Sequence, residues 1–118
     1  SMKLYEGEGA TETVGYVSSM TAFASAQRAN GDLDQAMEKA NEAQALFRKL
    51  DHPVGVASTL QVIAQVHHGK DDVFEAVNAA KEAQAIYQEH DDERGADFCA
   101  YLIDLFQAAP EEEGGEVE

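Results

Sequence analysis

The sequence has no tryptophan, one cysteine and two prolines among its 118 residues. A lone Cys99 excludes a disulfide within the chain, so we expect a reducing, cytoplasmic setting. With prolines only at Pro53 and Pro110, the stretches between them lack the residue that disrupts helices most strongly. These stretches are rich in Ala, Glu, Gln, Leu and Lys, which favour helices. The sequence therefore predicts an all-α fold.

Positive charge is also scarce, since 8 Lys and Arg face 23 Asp and Glu, for a net charge of -15. Such a chain repels phosphate backbones and anionic lipid surfaces, so nucleic acid and membranes are not expected partners. No apolar run approaches the roughly 20 residues that span a bilayer, and the N-terminus lacks a signal-peptide pattern. We expect a protein or peptide partner that is basic or neutral rather than acidic.

The two ends of the chain differ from its middle. Ser1-Met2 is typical of a residue left by protease cleavage followed by a chosen start, which leaves open that the chain is one piece of a longer protein. Residues 1–12 are predicted to form a flexible lead. Residues 109–118 are predicted to form a disordered acidic tail, because they hold too little apolar content to order themselves. One folded domain is expected over residues 13–108.

A ten-residue segment occurs twice in the sequence in similar form. Residues 42–51 read EAQALFRKLD and residues 82–91 read EAQAIYQEHD. At the same shift of about forty residues, small residues coincide: Ala24 with Ala64, Ala36 with Ala76, Ala40 with Ala80, Ala43 with Ala83, and Gly55 with Gly95. Alanines spaced by four and three residues lie on one face of a helix. Because a helix pair cannot bury its apolar face alone, the two copies are expected to stack on each other.

Turn-forming residues divide the chain into helices. Breaks are predicted at Gly31-Asp32, at DHPVG, at HGKDD and at HDDERG, each between helix-favouring stretches. The predicted helices span about residues 13–30, 32–50, 54–68, 72–90 and 94–108, the last ending before Pro110. Short turns between them predict five antiparallel helices.

The stretch GDLDQA at residues 31–36, followed by Ala40 and Ala43, resembles the turn and second-helix signature of the tetratricopeptide repeat. The forty-residue period is similar to the long-repeat variants of kinesin light chains and leucine-glycine-asparagine repeat proteins. The resemblance covers about residues 13–108 and implies a right-handed α-solenoid of two repeats plus a C-terminal capping helix. HEAT-like helix pairs are the structural alternative. Asp71 stands in place of the turn glycine, so the second turn is expected to be remodelled around Gly69.

The resemblance also assigns packing positions. Those of the first helix of each repeat are Met20, Phe23, Ala24 and Gln27 in one copy and Leu60, Ile63, Ala64 and His67 in the other. In the fifth helix the equivalent positions turn polar, while another set stays apolar: Cys99, Leu102, Ile103 and Phe106. This pattern is expected of a helix that packs on the preceding pair and closes the stack.

Motifs of catalysis and metal binding are missing from the sequence. It has no Gly-rich phosphate loop, no CxxC pair and no GxSxG elbow, so we expect neither an enzyme nor a cofactor. The adjacent His67 and His68 point about 100° apart around a helix, which makes a shared metal awkward. His90-Asp91-Asp92-Glu93 lacks the glycine and the spacing of a calcium loop, and no metal site is expected.

In tetratricopeptide arrays the first helices of successive repeats line a concave groove, and the resemblance implies such a groove here. Its residues would be Ser18, Thr21, Ser25, Arg28, Ser58, Gln61, Gln65 and His68, with Phe98, Tyr101 and Leu105 as an apolar patch at one end. Ser, Thr and Gln can hydrogen-bond an extended peptide. A carboxylate clamp of the chaperone-binding kind is disfavoured, because these positions hold one Arg and neither Lys nor Asn. Alternatively, the patch is shielded by the tail or the neighbouring repeat.

The resulting functional hypothesis is a non-catalytic module that binds a peptide or protein partner in the groove. The alternative is a docking domain that associates with itself to assemble a larger protein.

Overall fold

The computed structural model describes the backbone of residues 2–117 and the surroundings of the side chains of residues 14–108. Residues 2–117 form five α-helices and no strand, which confirms the predicted all-α class. The helices are α1 Met2–Ala29, α2 Leu33–Lys49, α3 Pro53–Gly69, α4 Val73–Glu89 and α5 Glu93–Val117. Each helix packs against the next, and α3 also contacts α1 and α5.

The bounds of the three inner helices lie within one residue of those predicted. The outer helices are longer than predicted, since α1 begins at Met2 and α5 ends at Val117. The predicted flexible lead, residues 1–12, and the predicted acidic tail, residues 109–118, lie outside the part of the chain whose side chains the structure describes. They stay predictions.

Four turns of the same geometry join the helices at intervals of twenty residues. A left-handed residue stands in each turn, with φ of 92° at Gly31, 56° at Asp51, 66° at Asp71 and 59° at Asp91. The next N–H then bonds back to the carbonyl five residues earlier, as from Asp32 to Gln27 at 2.8 Å. This backbone bond is the Schellman closure of a helix end.

The expected remodelling of the second turn around Gly69 is wrong. Asp71 adopts the left-handed conformation itself, because a short polar side chain is tolerated there, and Gly69 is the last residue of α3. The same closing bond forms, from the N–H of Asp72 to the carbonyl of His67 at 2.8 Å. Glycine is therefore dispensable at this turn.

The residue that closes one helix also begins the next one. His52 Nδ1 accepts a bond from the N–H of Gly55 at 3.0 Å, and Asp92 Oδ1 accepts one from the N–H of Gly95 at 3.0 Å. Asp72 does the same for α4, at 3.4 Å. Such side chains satisfy N–H groups that a helix start leaves free. Since one residue serves two helices, short turns suffice and neighbouring helices run antiparallel.

The predicted alanine stripes form the centre of each pair. Every member is fully buried: Ala36, Ala40 and Ala43 on α2 and Ala76, Ala80 and Ala83 on α4. Small side chains let the helix backbones approach closely. The repeated segment thus contributes to the packing face of each helix pair, as predicted.

An aromatic ring ends each stripe and lies on a glycine of the following helix. Phe47 and Tyr87 are 2% and 4% exposed. A Cβ atom built at Gly55 would lie 2.5 Å from Phe47 Cδ1, and one at Gly95 would lie 2.5 Å from Tyr87 Cδ1. Because Cβ atoms essentially never come that close, the ring requires glycine at both positions. The two copies of the repeat therefore contain the same contact between ring and glycine.

The two outermost helices, α1 and α5, each bury one side against the neighbouring helices and expose different kinds of side chain on the other. On α5, Cys99, Leu102 and Phe106 are buried while Asp104 and Gln107 are exposed, which is the pattern predicted for a closing helix. On α1, Met20 and Ala24 are buried as predicted.

The predicted packing position of Phe23 is wrong, since its side chain is 55% exposed. Its equivalent in the second copy, Ile63, is 6% exposed, since α3 packs against helices that precede it as well as helices that follow it. In the described part of the chain, no helix precedes α1. Phe23 therefore lies on an uncovered face.

Replacing Gly55 by alanine tests the contact between ring and glycine. We expect Gly55→Ala to lower the free energy of unfolding by about 2 kcal/mol, since Phe47 must move to admit the methyl group. Gly15→Ala is the matched control, because nothing lies within 4 Å of that position and alanine favours helices by about 0.5–1 kcal/mol. Urea titration would measure both. Equal effects of the two substitutions would contradict the assignment.

Leu102 tests the role of α5 as the closing helix. Leu102→Asp places a carboxylate where 2% of the side chain is exposed, and we expect a loss above about 4 kcal/mol, seen as unfolding or aggregation. The same change at Leu105, which is 43% exposed on the same helix, should shift the melting temperature by only a few degrees. An unchanged melting temperature for Leu102→Asp would refute the role.

Candidate binding groove

One open groove runs along the side of the molecule formed by α1, α3 and the start of α5. Its volume is about 590 Å³. Eight of the predicted site residues line it: Ser18, Thr21, Ser25, Arg28, Ser58, Gln61, Gln65 and Phe98. They meet because Ser18, Ser58 and Phe98 occupy equivalent positions at intervals of forty residues, on helices that lie side by side. The structure thus brings most of the predicted positions into one concavity.

Thr21 belongs to the floor of the groove rather than to its accessible wall. Its side chain is 9% exposed, and its Oγ1 donates to the carbonyl of Val17 at 3.1 Å. Thr21 Oγ1 also lies 3.4 Å from Oγ1 of the fully buried Thr59, which donates to the carbonyl of Gly55 at 2.9 Å. Each hydroxyl donates its proton to a carbonyl of its own helix, so the two side chains meet as a packing contact between α1 and α3. They fix the spacing of the helices that form the groove.

A hydrogen bond from the helix behind the groove fixes the side chain of Gln61 in the groove wall. Tyr87 on α4 donates its hydroxyl to Gln61 Oε1 at 2.5 Å. Burial raises the pKa of the Tyr87 hydroxyl, while its hydrogen bond to Ser58 acts in the opposite direction. Because the Gln61 oxygen is occupied, the amide nitrogen is the group left to donate into the groove.

The charge of the wall differs from that of the whole chain. Among the described residues that line the groove there is no Asp or Glu, although the chain carries a net charge of -15. Arg28 and His52 are the ionisable side chains of the wall. Arg28 Nε is buried without a hydrogen-bond partner. The groove is therefore a neutral to weakly positive strip on an acidic protein.

Part of the wall was not predicted. His52, Val54 and Gly55 come from the turn before α3 and its first residues, and Val62 comes from its middle. The groove positions inferred from tetratricopeptide arrays lie only on the outward side of the first helix of each repeat. They therefore include no residue of the turn before that helix. The signal that could have found them is the break DHPVG itself, which must lie at one end of any groove between α1 and α3.

Three predicted site residues lie outside this groove: His68, Tyr101 and Leu105. His68 is half-buried and stacks on Phe106, with ring centroids 4.6 Å apart.

The predicted apolar patch of Phe98, Tyr101 and Leu105 lies on the open side of α5. These side chains are 39%, 58% and 43% exposed, and the rings of Phe98 and Tyr101 have centroids 6.1 Å apart. Only Phe98 reaches the groove. Whether the tail shields the patch falls outside the described residues.

Metal-ligand side chains do not gather within residues 14–108. No group of three His, Cys, Asp or Glu lies close enough to hold an ion in that part of the chain. His67 Nδ1 instead lies 3.8 Å from Asp72 Oδ2 at the end of α3. In the same described part, none of the helices combines the length and the apolar character needed to cross a bilayer.

Comparisons with protein-family models, with curated proteins and with solved structures give no match. The resemblance to the tetratricopeptide repeat therefore rests on the residues of this chain.

Cys99 is the one cysteine of the sequence and lies on the buried side of α5, with none of its surface exposed. Burial raises its pKa to about 11, from an ordinary value of 9.0. The protonated thiol is the weakly nucleophilic form. Cys99 is therefore a packing residue.

The thiol chemistry of Cys99 provides a direct check. At about pH 8 we expect an aromatic disulfide reagent to react at least about 100-fold more slowly with the native protein than with the protein in guanidinium chloride. Because the pKa of the Cys99 thiol is higher in the folded protein than in the unfolded one, burial of the neutral thiol contributes its full stabilisation of the fold below pH 9. This contribution is lost as the pH rises towards about 11. Equal native and denatured rates would show that Cys99 is accessible.

Proposed function

We propose that the protein is a non-catalytic interaction module whose groove binds an extended segment of a partner protein. The observation that carries this proposal is the groove between α1 and α3, with several uncharged hydrogen-bonding side chains along it and an aromatic ring at one end. Ser18, Ser25, Ser58 and Gln65 offer donors and acceptors at successive positions. Phe98 offers a surface for an apolar side chain, of the kind that anchors many peptides.

The chemistry of the partner segment follows from the wall and its surroundings. A wall without Asp or Glu and with Arg28 does not attract Lys or Arg side chains into the groove itself. The net charge of -15 nevertheless favours the approach of basic rather than acidic partners. We therefore propose a neutral segment inside the groove, with any basic residues of the partner lying beyond its rim.

The proposed architecture behind this function is a right-handed α-solenoid of the tetratricopeptide type, with two helix pairs and α5 as its closing helix. Supporting it are three inner helices of 17 residues each and turns that recur every twenty residues. Equal units of this kind stack by translation along the chain. HEAT-like pairs are the alternative architecture.

The alternative function is self-association through the apolar patch of α5. Exposure of Tyr101 and its contact with Phe98 favour it, because aromatic side chains are enriched in the centres of interfaces. Loss of a dimer in Tyr101→Asp would support this alternative.

A peptide library tests the groove. We expect twelve-residue random peptides displayed on phage to yield binders of low net charge, whose synthetic forms bind with micromolar affinity in fluorescence anisotropy. Ser25→Tyr should weaken binding at least about tenfold because the phenol fills the groove, and Arg28→Glu should weaken it similarly by placing a carboxylate on the wall.

Lys81→Glu is the control with the same charge change. Lys81 is exposed on α4 and does not line the groove, so its variant should alter affinity less than about twofold. Peptides that bind the wild type, Ser25→Tyr and Arg28→Glu equally well would contradict the groove as the binding site.

A further inference from the structure

The described part of α1 has the composition of an interior helix. From Val14 to Gln27 it contains no charged residue, in a chain of which 26% is charged. α3, Pro53–Gly69, likewise lacks Asp, Glu, Lys and Arg, and it lies between α2 and α4. An uncharged helix is expected where neighbours cover it on both sides. α1 has such a neighbour only on one side.

Comparing α1 with α3 at the shift of forty residues identifies the uncovered face. Val56 is 4% exposed where Tyr16 is 64% exposed, and Ile63 is 6% exposed where Phe23 is 55% exposed. Three further positions repeat the difference, since their equivalents on α3 are buried while they are exposed: Ser19, Ala22 and Ala26. We call Tyr16, Ser19, Ala22, Phe23 and Ala26 the α1 face. On α3, the equivalent face is buried in a helix that packs against both α1 and α2, and its Thr59 lies 3.4 Å from Thr21 of α1.

The open side of α5 is a poor match for the α1 face. Beside the apolar patch it carries Asp97, Asp104 and Gln107, all exposed. Stacking two chains head to tail would press these carboxylates against Tyr16 and Phe23 and leave them without water, which is costly. The five residues of the α1 face itself include no charged side chain. A closed two-fold pair is therefore favoured over an open chain of subunits.

We propose that the α1 face is the interface with a second copy of this chain, in a symmetric dimer. Charged residues of α2 at the edge of the α1 face support a second copy as the partner. Beside Phe23 lie Glu38, Lys39 and Glu42, and Lys39 Nζ is 3.9 Å from Glu42 Oε1. The rim carries both signs of charge, so in a symmetric pair the Lys39 of each copy can be matched with an acid of the other.

The net charge of -15 predicts an unusual salt dependence for this dimer. Two acidic chains repel each other over long distances, and salt screens that repulsion. Burial of uncharged side chains is not weakened by salt. Association should therefore strengthen as ionic strength rises. The described length of α1, from Val14 to Ala29, is about 24 Å, which makes the interface small and the affinity micromolar.

Sedimentation equilibrium of the full chain over a concentration series, at low and moderate salt, tests the proposal. We expect a monomer–dimer equilibrium that tightens with salt. Phe23→Glu and Tyr16→Glu should each weaken dimerisation at least about tenfold, without changing the melting temperature by more than a few degrees, because both side chains are exposed in the monomer.

Phe74→Glu is the matched control, since Phe74 is 72% exposed on α4 and lies away from the α1 face. Its dimerisation should equal that of the wild type. A wild type that stays monomeric at about millimolar concentration would overturn the proposal. A dimer lost in Tyr101→Glu but retained in Phe23→Glu would also overturn it, and would assign the interface to α5. Neither result bears on peptide binding in the groove.

Discussion

The seating of an aromatic ring on a helical glycine controls how one helix pair meets the next. Phe47 on Gly55 and Tyr87 on Gly95 each join the end of one helix to the first turn of the next helix. A ring in that position leaves room for no side chain at all, so it sets the distance between the backbones. The positions of α3 and α5 relative to the preceding pairs depend on this distance. The groove exists because these helices lie side by side at the resulting spacing.

Sequence reasoning succeeded where structure is decided locally. The bounds of the three inner helices followed from turn residues within one position, and the alanine stripes followed from their spacing. It failed at Asp71, where a glycine was expected to be necessary although a left-handed Asp with the same closing bond serves equally well. It failed at Phe23, whose burial depends on a neighbour on the far side of α1 that periodicity cannot reveal. His52 was missed because the expected groove positions lay only on helices and not on turns, and Thr59 because its contact with Thr21 joins two helices.

Two surfaces of low charge stand out on a strongly acidic chain. The groove owes its character to short polar side chains on α1 and α3, and the α1 face owes its character to the absence of any charge between Val14 and Gln27. Both surfaces use α1 and adjoin at Ala22, which lines the groove and also belongs to the α1 face. Acidic residues concentrate on the turns, on α2, α4 and on the open side of α5, where solvent reaches them. The distribution of charge therefore separates surfaces suited to contact from surfaces suited to water.

Each helix contacts only its immediate neighbours and the next but one, and this limits how far apart in the chain any contact lies. Folding then needs no closure of long loops, which is the condition under which small domains acquire their structure fastest. It also means that α1 and α5 have fewer packing partners than α3. α3, surrounded on both sides, should exchange its amide hydrogens most slowly, and protection should decline outward from it in both directions.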